Sequence, residues 1–288
     1  MSEKRLSILV VAIVVFVALP AAMAQGHGAA AAGSPMSPQM PPLRTLVQDP
    51  GPIGAATTTA LFAQVAVGGG WNTVFTFLNT GTTPIDGNLI LTASDGTPMN
   101  ISVNAGSPLS GSSVPISIPP GGIQILTATS INAADPTIAG WARVESSGGQ
   151  LGGVGTFQYF GSGGSLITTA GVLSADAINV ATIPVDNDDS KSRQVGYALA
   201  NVGTGPLTVK VVVVDNSGTM QKTFNITLNP GAQLAKFLFQ DDATFSTFKG
   251  SMVLMGQGTG SFAVVALVQN GSLYTVIPVI PAKASNIN

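Results

Sequence analysis

The chain has 288 residues, only 8% of them charged, and a formal net charge of -2 at pH 7. Soluble domains typically have about 25% charged residues, so binding to nucleic acid or to an acidic membrane surface by bulk electrostatics is not expected. The chain contains no cysteine and one histidine, which excludes disulfides, cysteine nucleophiles and thiolate metal sites.

The first segment, residues 1–24, has the pattern of a secretory signal peptide. Lys4 and Arg5 precede a nearly continuous apolar run at residues 6–19, and Ala24 ends a small-residue cleavage motif. The run is shorter than the roughly 20 residues that a membrane-spanning helix needs. We therefore expect cleavage, no membrane span afterwards, and export to the periplasm, the cell surface or the medium.

The next segment, residues 25–57, is expected to be a flexible linker rich in proline and alanine. Its prolines are too dense for a helical or alternating pattern, and they favour extended backbone. The single histidine, His27, lies in this segment, so the folded part cannot contain a Ser-His-Asp triad. At the other end of the chain, residues 283–288 are expected to be a polar tail.

The remainder contains an internal repeat, seen as three matched blocks in the same order. The blocks are residues 77–85 with 199–207, residues 116–121 with 226–231, and residues 165–168 with 272–275. The first block aligns Asn79 with Asn201. A repeat of this length indicates two domains rather than a solenoid, and we assign them to residues 58–175 and 178–282.

Both copies are expected to be β-strand throughout. Runs of β-branched residues at 85–92 and 207–214 end in turn signals rich in Asp, Asn and Gly. Strands about every 8 to 12 residues, with Gly and Pro between them, predict antiparallel β-sandwiches. Because the boundary between the copies is short, we expect end-to-end contact and a rod with restricted freedom.

Three segments resemble a group of secreted bacterial proteins with tandem immunoglobulin-like repeats. They are residues 69–73 (GGWNT), 119–122 (PPGG) and 139–144 (AGWARV), within a likeness that covers about residues 58–282. The resemblance implies an all-β fold of two tandem antiparallel immunoglobulin-like β-sandwich domains and a location outside the cytoplasm. It implies no catalytic residue.

Trp71 and Trp141 are the only tryptophans, and each has two interpretations. An exposed indole beside a Gly-rich loop stacks on a sugar ring, whereas the commoner position is inside a sandwich core. The second copy has Ser251 where the first has Trp141, so any role of Trp141 is confined to the first copy.

The densest acidic run contains Asp186, Asp188 and Asp189, which are the candidate ligands of a calcium ion. An EF-hand loop is excluded, because its sixth and twelfth positions would be Lys191 and Tyr197 instead of Gly and Glu. The alternative interpretation is a solvated turn with basic neighbours.

These observations favour a secreted, non-catalytic structural, adhesive or assembly protein of the cell envelope or extracellular matrix. A polysaccharide- or polymer-binding sandwich is the first alternative, and an unrecognised enzyme is the second. Ser246 and Lys249 fit an S-x-x-K motif, but its companion motifs are absent. We expect no cofactor apart from the calcium candidate. The expected partners are a cell-surface or matrix polymer or protein, or a second copy of the chain, and not nucleic acid.

Overall fold

The computed structural model describes residues 58–104 and 108–281. The predicted signal peptide at residues 1–24, the predicted linker at 25–57 and the predicted tail at 283–288 lie outside these residues. Within the described part the protein is all-β, with 19 strands and three short 3-10 helices. The prediction of an all-β, sandwich-like protein is thereby confirmed.

The first half of the described chain contains ten strands. They are β1 (Thr58–Val67), β2 (Trp71–Asn79), β3 (Ile85–Ala93), β4 (Ile101–Asn104), β5 (Pro108–Gly111), β6 (Ser113–Ile118), β7 (Ile123–Thr129), β8 (Ile138–Ser147), β9 (Leu151–Phe160) and β10 (Leu166–Leu173).

The second half contains nine strands and the three 3-10 helices. The strands are β11 (Val180–Asn187), β12 (Arg193–Asn201), β13 (Leu207–Asp215), β14 (Met220–Leu228), β15 (Gln233–Phe237), β16 (Phe248–Gly256), β17 (Phe262–Asn270), β18 (Leu273–Ile277) and β19 (Ile280–Pro281). The 3-10 helices are Asp189–Lys191, Leu238–Gln240 and Ala243–Ser246.

The strands form four antiparallel sheets, two in each half. In the first half, sheet A has the order β1-β8-β3-β6 and sheet B the order β10-β9-β2-β7-β4-β5. In the second half, sheet C has the order β15-β12-β17-β18 and sheet D the order β14-β13-β16-β11-β19. Sheet A thus corresponds to β11-β16-β13-β14 of sheet D, and β10-β9-β2-β7 of sheet B corresponds to sheet C. The strands without a counterpart are β4, β5 and β19.

Each half has its own apolar core between its two sheets. Alternate residues of β2 point inwards, so Phe75 and Phe77 are buried while the residues beside them are less so. In the second half, Leu199 of β12 and Val211 of β13 are both buried in the core between sheets C and D. Fully burying one such side chain contributes about 1.5–3 kcal/mol, so burial of these two cores is what joins each pair of sheets.

A buried asparagine ends the central strand of sheet B. Asn79 donates hydrogen bonds from Nδ2 to the carbonyl oxygens of Thr83, at 2.7 Å, and Ile118, at 3.1 Å. Its Oδ1 accepts from the backbone N–H of Gly81 at 3.0 Å. The amide therefore ties the β2–β3 loop to the end of β6, and it satisfies backbone groups that would otherwise be buried without a partner.

The equivalent strand of sheet C ends in the same arrangement. Asn201 donates to the carbonyl oxygens of Gly205, at 2.8 Å, and Leu228, at 3.2 Å, and it accepts from the N–H of Gly203 at 3.0 Å. The partners lie at the positions that the sequence alignment of the two copies pairs with Thr83, Ile118 and Gly81. The repeat in sequence is therefore also a repeat in hydrogen bonding.

Candidate interaction surfaces

The two halves meet across the outer face of sheet C. In β12, Tyr197 and Leu199 point to the core of the second half, while Ala198 and Ala200 point away from it, yet these two alanines are only 4% and 0% exposed. They are covered by β1 and β8 of the first half. The prediction of end-to-end contact is therefore wrong, because the two halves contact each other through the outer face of sheet C and not through their ends.

We call this contact the seam. Its apolar part consists mainly of Leu61, Ala63, Trp141, Ala198, Ala200 and Val265. The residues that sheet C contributes are small, so the backbone of β1 can approach closely. A strand buried on both faces is expected to be apolar at every position instead of at alternate ones, and residues 195–200 (VGYALA) and 262–268 (FAVVALV) have that pattern.

Trp141 is the largest side chain in the seam. It is 2% exposed, and its indole N–H donates a hydrogen bond to the carbonyl oxygen of Gly231 at 2.7 Å. Gly231 lies in the β14–β15 turn and has φ +72°. Beside it lies the β3–β4 turn of the first half, where a Cβ on Gly96 would come within 2.7 Å of the carbonyl oxygen of Pro230.

Polar contacts also cross the seam. The backbone N–H of Gln233 donates to the carbonyl oxygen of Ser94 at 3.0 Å, and its side-chain amide donates to Oε1 of Gln64. Farther along, the N–H of Tyr274 donates to Oγ1 of Thr168 at 3.1 Å. These bonds are directional, so they fix the relative position of the two halves more narrowly than apolar packing alone would.

Trp71 lies at the opposite end of the seam and is 9% exposed. Its ring centroid is 4.9 Å from that of Tyr159 and 5.8 Å from that of Tyr274. A cleft of about 90 Å³ opens beside it, lined mostly by carbon atoms, including those of Phe157 and Phe237. Because Trp71 and Trp141 are both buried, neither presents an open indole face to a sugar ring.

The hydroxyl of Tyr274 is buried and has no hydrogen-bond partner among the described residues. Burial raises the pKa of Tyr274 to about 12. Tyr197 and Lys236 also line the cleft. The hydroxyl of Tyr197 donates to Oδ2 of Asp241 at 2.8 Å, and the ammonium of Lys236 binds the other carboxylate oxygen. Burial, aided by the charge of Asp241, raises the pKa of Tyr197 well above its usual value. Both raised pKa values favour the neutral phenol at pH 7.

Two of the three predicted calcium ligands, Asp186 and Asp188, are engaged in ion pairs at the end of β11 and in the β11–β12 connection. Asp186 binds Arg193 at 3.0 Å, and Asp188 binds Lys191 at 2.8 Å. The hydrogen bond from Lys191 lowers the pKa of Asp188 to about 2. Asp189 begins the adjacent 3-10 helix. Over residues 58–104 and 108–281, no three acidic or histidine side chains come together as a metal cluster.

The sequence interpretation also did not single out the outer face of sheet B. None of the six strands of this sheet contains an Asp, Glu, Lys or Arg residue. On the solvent side, the exposed fractions are 43% for Leu78, 60% for Ile123, 54% for Ile125 and 73% for Leu173. For a sheet with one face in water, polar and charged side chains would be expected at these positions.

These apolar side chains lie among uncharged polar ones such as Thr76 and Thr156, and we call the whole outer side of this sheet the sheet B face. Its apolar members are Val74, Leu78, Ile123, Ile125, Val154 and Leu173. The strand register places Leu78 opposite Ile123, and it aligns Leu173, Val154, Thr76 and Ile125 across four neighbouring strands. The sheet B face was not predicted because its members are far apart in sequence, and only the register brings them together.

The outer faces of sheets A and D are different. Sheet A carries Asp86, Arg143 and Glu145 on its outer side, and sheet D carries Lys210 and Lys249. The outer face of sheet D is an ordinary solvated face. That of sheet A is solvated at Asp86 and Glu145 but enters the seam at Leu61, Ala63 and Trp141. Of the two faces without such charges, that of sheet C is covered by the first half, and that of sheet B is exposed.

Among the described residues, no helix is long and apolar enough to cross a membrane. A comparison of the chain with protein families, with curated proteins and with solved structures found no match. The resemblance to secreted proteins with tandem immunoglobulin-like repeats thus stays a prediction.

Proposed function

We propose that the protein is an exported, non-catalytic structural, adhesive or assembly protein of the cell envelope or extracellular matrix. We further propose that it is built from two tandem immunoglobulin-like β-sandwich domains, at residues 58–175 and 178–282. The matching strand order of the two halves and the repeated hydrogen bonds of Asn79 and Asn201 support this division. Export is supported by the signal-peptide pattern of residues 1–24.

The observation that carries the proposal is the sheet B face. Four of its large apolar side chains, Leu78, Ile123, Ile125 and Leu173, are 43% to 73% exposed. Neighbouring exposed apolar side chains of this kind mark a site of interaction with another macromolecule. Its shape supports the same conclusion, because an open sheet surface suits a protein surface better than a small substrate, which binds in a concave pocket.

The seam supports the structural part of the proposal. Hydrogen bonds of Trp141 and Gln233 cross it, and a close approach of Gly96 to Pro230 leaves little room for rearrangement. The sheet B face is therefore presented at a fixed orientation to the second half, as a spacer or assembly module requires.

The polysaccharide-binding alternative has less support. It relied on Trp71 and Trp141, which are buried at the two ends of the seam. The cleft beside Trp71 is lined mainly by carbon, whereas the hydroxyls of a sugar need polar partners.

Fractionation of cells that express the full chain tests the proposal. We expect the protein in the envelope or matrix fraction with Gln25 as its first residue. We also expect that Ile125→Lys releases it into the soluble exported fraction. Ile280→Lys is the matched control, since Ile280 has the same 54% exposure but lies on sheet D. Retention in the cytoplasm, or release that is equal for both variants, would contradict the proposal.

A further inference from the structure

We infer that the sheet B face is covered by the same face of a second copy of this chain, in a two-fold symmetric dimer. This inference rests on the proposed function and names the partner for its assembly surface.

The first step compares the four outer sheet faces of the molecule. The solvated parts of the outer faces of sheets A and D carry charged side chains such as Asp86 and Lys249. The face of sheet C carries none at its centre, where Ala198 and Ala200 lie, and it is buried against a β-sandwich of the same chain. Sheet B corresponds to sheet C in strand order. Its uncharged face therefore has the composition of a surface that packs against another sandwich.

The second step is size. At about 4.8 Å between strands and 3.4 Å per residue, the five strands β10, β9, β2, β7 and β4 span roughly 24 Å by 24 Å. That is a projected area on the order of 600 Å² per copy, before the relief of the side chains is added. Specific interfaces bury about 800 Å² per partner, so two such faces give an interface of ordinary size.

The third step is self-complementarity. Because the sheet B face has no charged residue, it meets itself without like-charge repulsion. Its relief is also uneven. Ile123 and Ile125 project from β7, whereas Gly152 of β9 and Gly171 of β10 have no side chain, so the surface is lower there. A two-fold axis through the face places the ridge of one copy over the recess of the other, as an isologous interface requires.

The experiment is sedimentation equilibrium of the exported chain from about 1 µM to about 1 mM, a range that covers weak and moderate dimers. We expect wild type and Ile280→Lys to form dimers. Ile125→Lys should remain monomeric or associate at least tenfold more weakly, since each copy would bury a lysine against its mate. Ile125→Thr, which retains a β-branched side chain, should give a dimer dissociation constant between those of wild type and Ile125→Lys. This variant tests the inference if Ile125→Lys fails to fold.

Other outcomes overturn the inference. A wild-type chain that stays monomeric over the whole concentration range would overturn the inference. This holds even if Ile125→Lys still releases the protein from the envelope. In that case the proposed function stands with a different partner. A chain that dimerises only after residues 25–57 are deleted would show that this segment covers the face instead. Dimerisation that is equal in wild type and in a folded Ile125→Lys would place the interface elsewhere.

Discussion

The indole N–H of Trp141 and the carbonyl oxygen of Gly231 are hydrogen-bonded at 2.7 Å, which links sheet A of the first half to a turn of the second. This link has no counterpart elsewhere in the repeat, because the residue equivalent to Trp141 is Ser251. The two copies therefore share a fold but contribute differently to the seam.

Replacement of Trp141 should lower the free energy of unfolding, and by more for alanine than for phenylalanine. Trp141→Phe keeps most of the apolar volume but loses the hydrogen bond, so a loss of about 1–2 kcal/mol is expected. Trp141→Ala also leaves a cavity in the seam, and about 3–5 kcal/mol is expected. Urea unfolding followed by circular dichroism measures both. Ser251→Ala, at the equivalent position, should change stability by less than about 0.5 kcal/mol.

Gly96 and Gly218 form a matched pair for the close approach at the seam. They are equivalent turn glycines with φ of +91° and +88°, but only Gly96 has a neighbour, the carbonyl oxygen of Pro230. Alanine at either position incurs the backbone cost of a positive φ, about 1–2 kcal/mol. Gly96→Ala should cost a further 1–3 kcal/mol or so from overpacking. Equal thermal stabilities of the two variants would show that the seam does not form as described.

Asn79→Ala and Asn201→Ala should destabilise the protein by similar amounts. Each removes an amide that satisfies several backbone groups at a buried strand end, and about 1–3 kcal/mol is expected for each. Because the two sites lie in different cores, their effects should add in the double variant. A denaturant series on the single and double variants checks this. An effect at only one site would argue against equivalent roles.

The free energy of unfolding should fall as the pH drops from about 4 to about 2. This interval lies between the pKa of the most strongly hydrogen-bonded carboxyl groups in the unfolded chain and their pKa in the folded protein. The hydrogen bond from Lys222 lowers the pKa of Asp242 to about 2. A group whose pKa is lowered on folding stabilises the protein above its unfolded pKa and loses that contribution as the pH falls through the folded one. Asp242→Asn should therefore make thermal stability less dependent on pH in this interval. An unchanged dependence would contradict the assignment.

Local patterns predicted most of the strands and turns, and matched blocks of sequence predicted the repeat. Runs of β-branched residues identified β3 and β13, and the match of Asn79 with Asn201 aligned the end of β2 with the end of β12. The β4–β5 hairpin was missed, since two strands of four residues carry little periodicity.

The surfaces were harder to predict, for physical reasons. Trp141 bonds to a carbonyl 90 residues away, and nothing local marks a backbone oxygen as its partner. The run at residues 195–200 did carry a signal, because continuous apolar residues in an antiparallel sheet indicate burial on both faces. The sheet B face depends on the register of four strands, which the sequence does not specify.

The most direct test of the central claim is the rate at which a single introduced thiol is labelled in the native envelope. The chain has no cysteine, so Ile125→Cys and Ile280→Cys each give one reactive site, at positions of equal 54% exposure in the isolated chain. If the sheet B face is an assembly surface, Ile125→Cys should react at least tenfold more slowly than Ile280→Cys in the envelope, and equally fast once the protein is unfolded. Equal rates in the envelope would contradict the account.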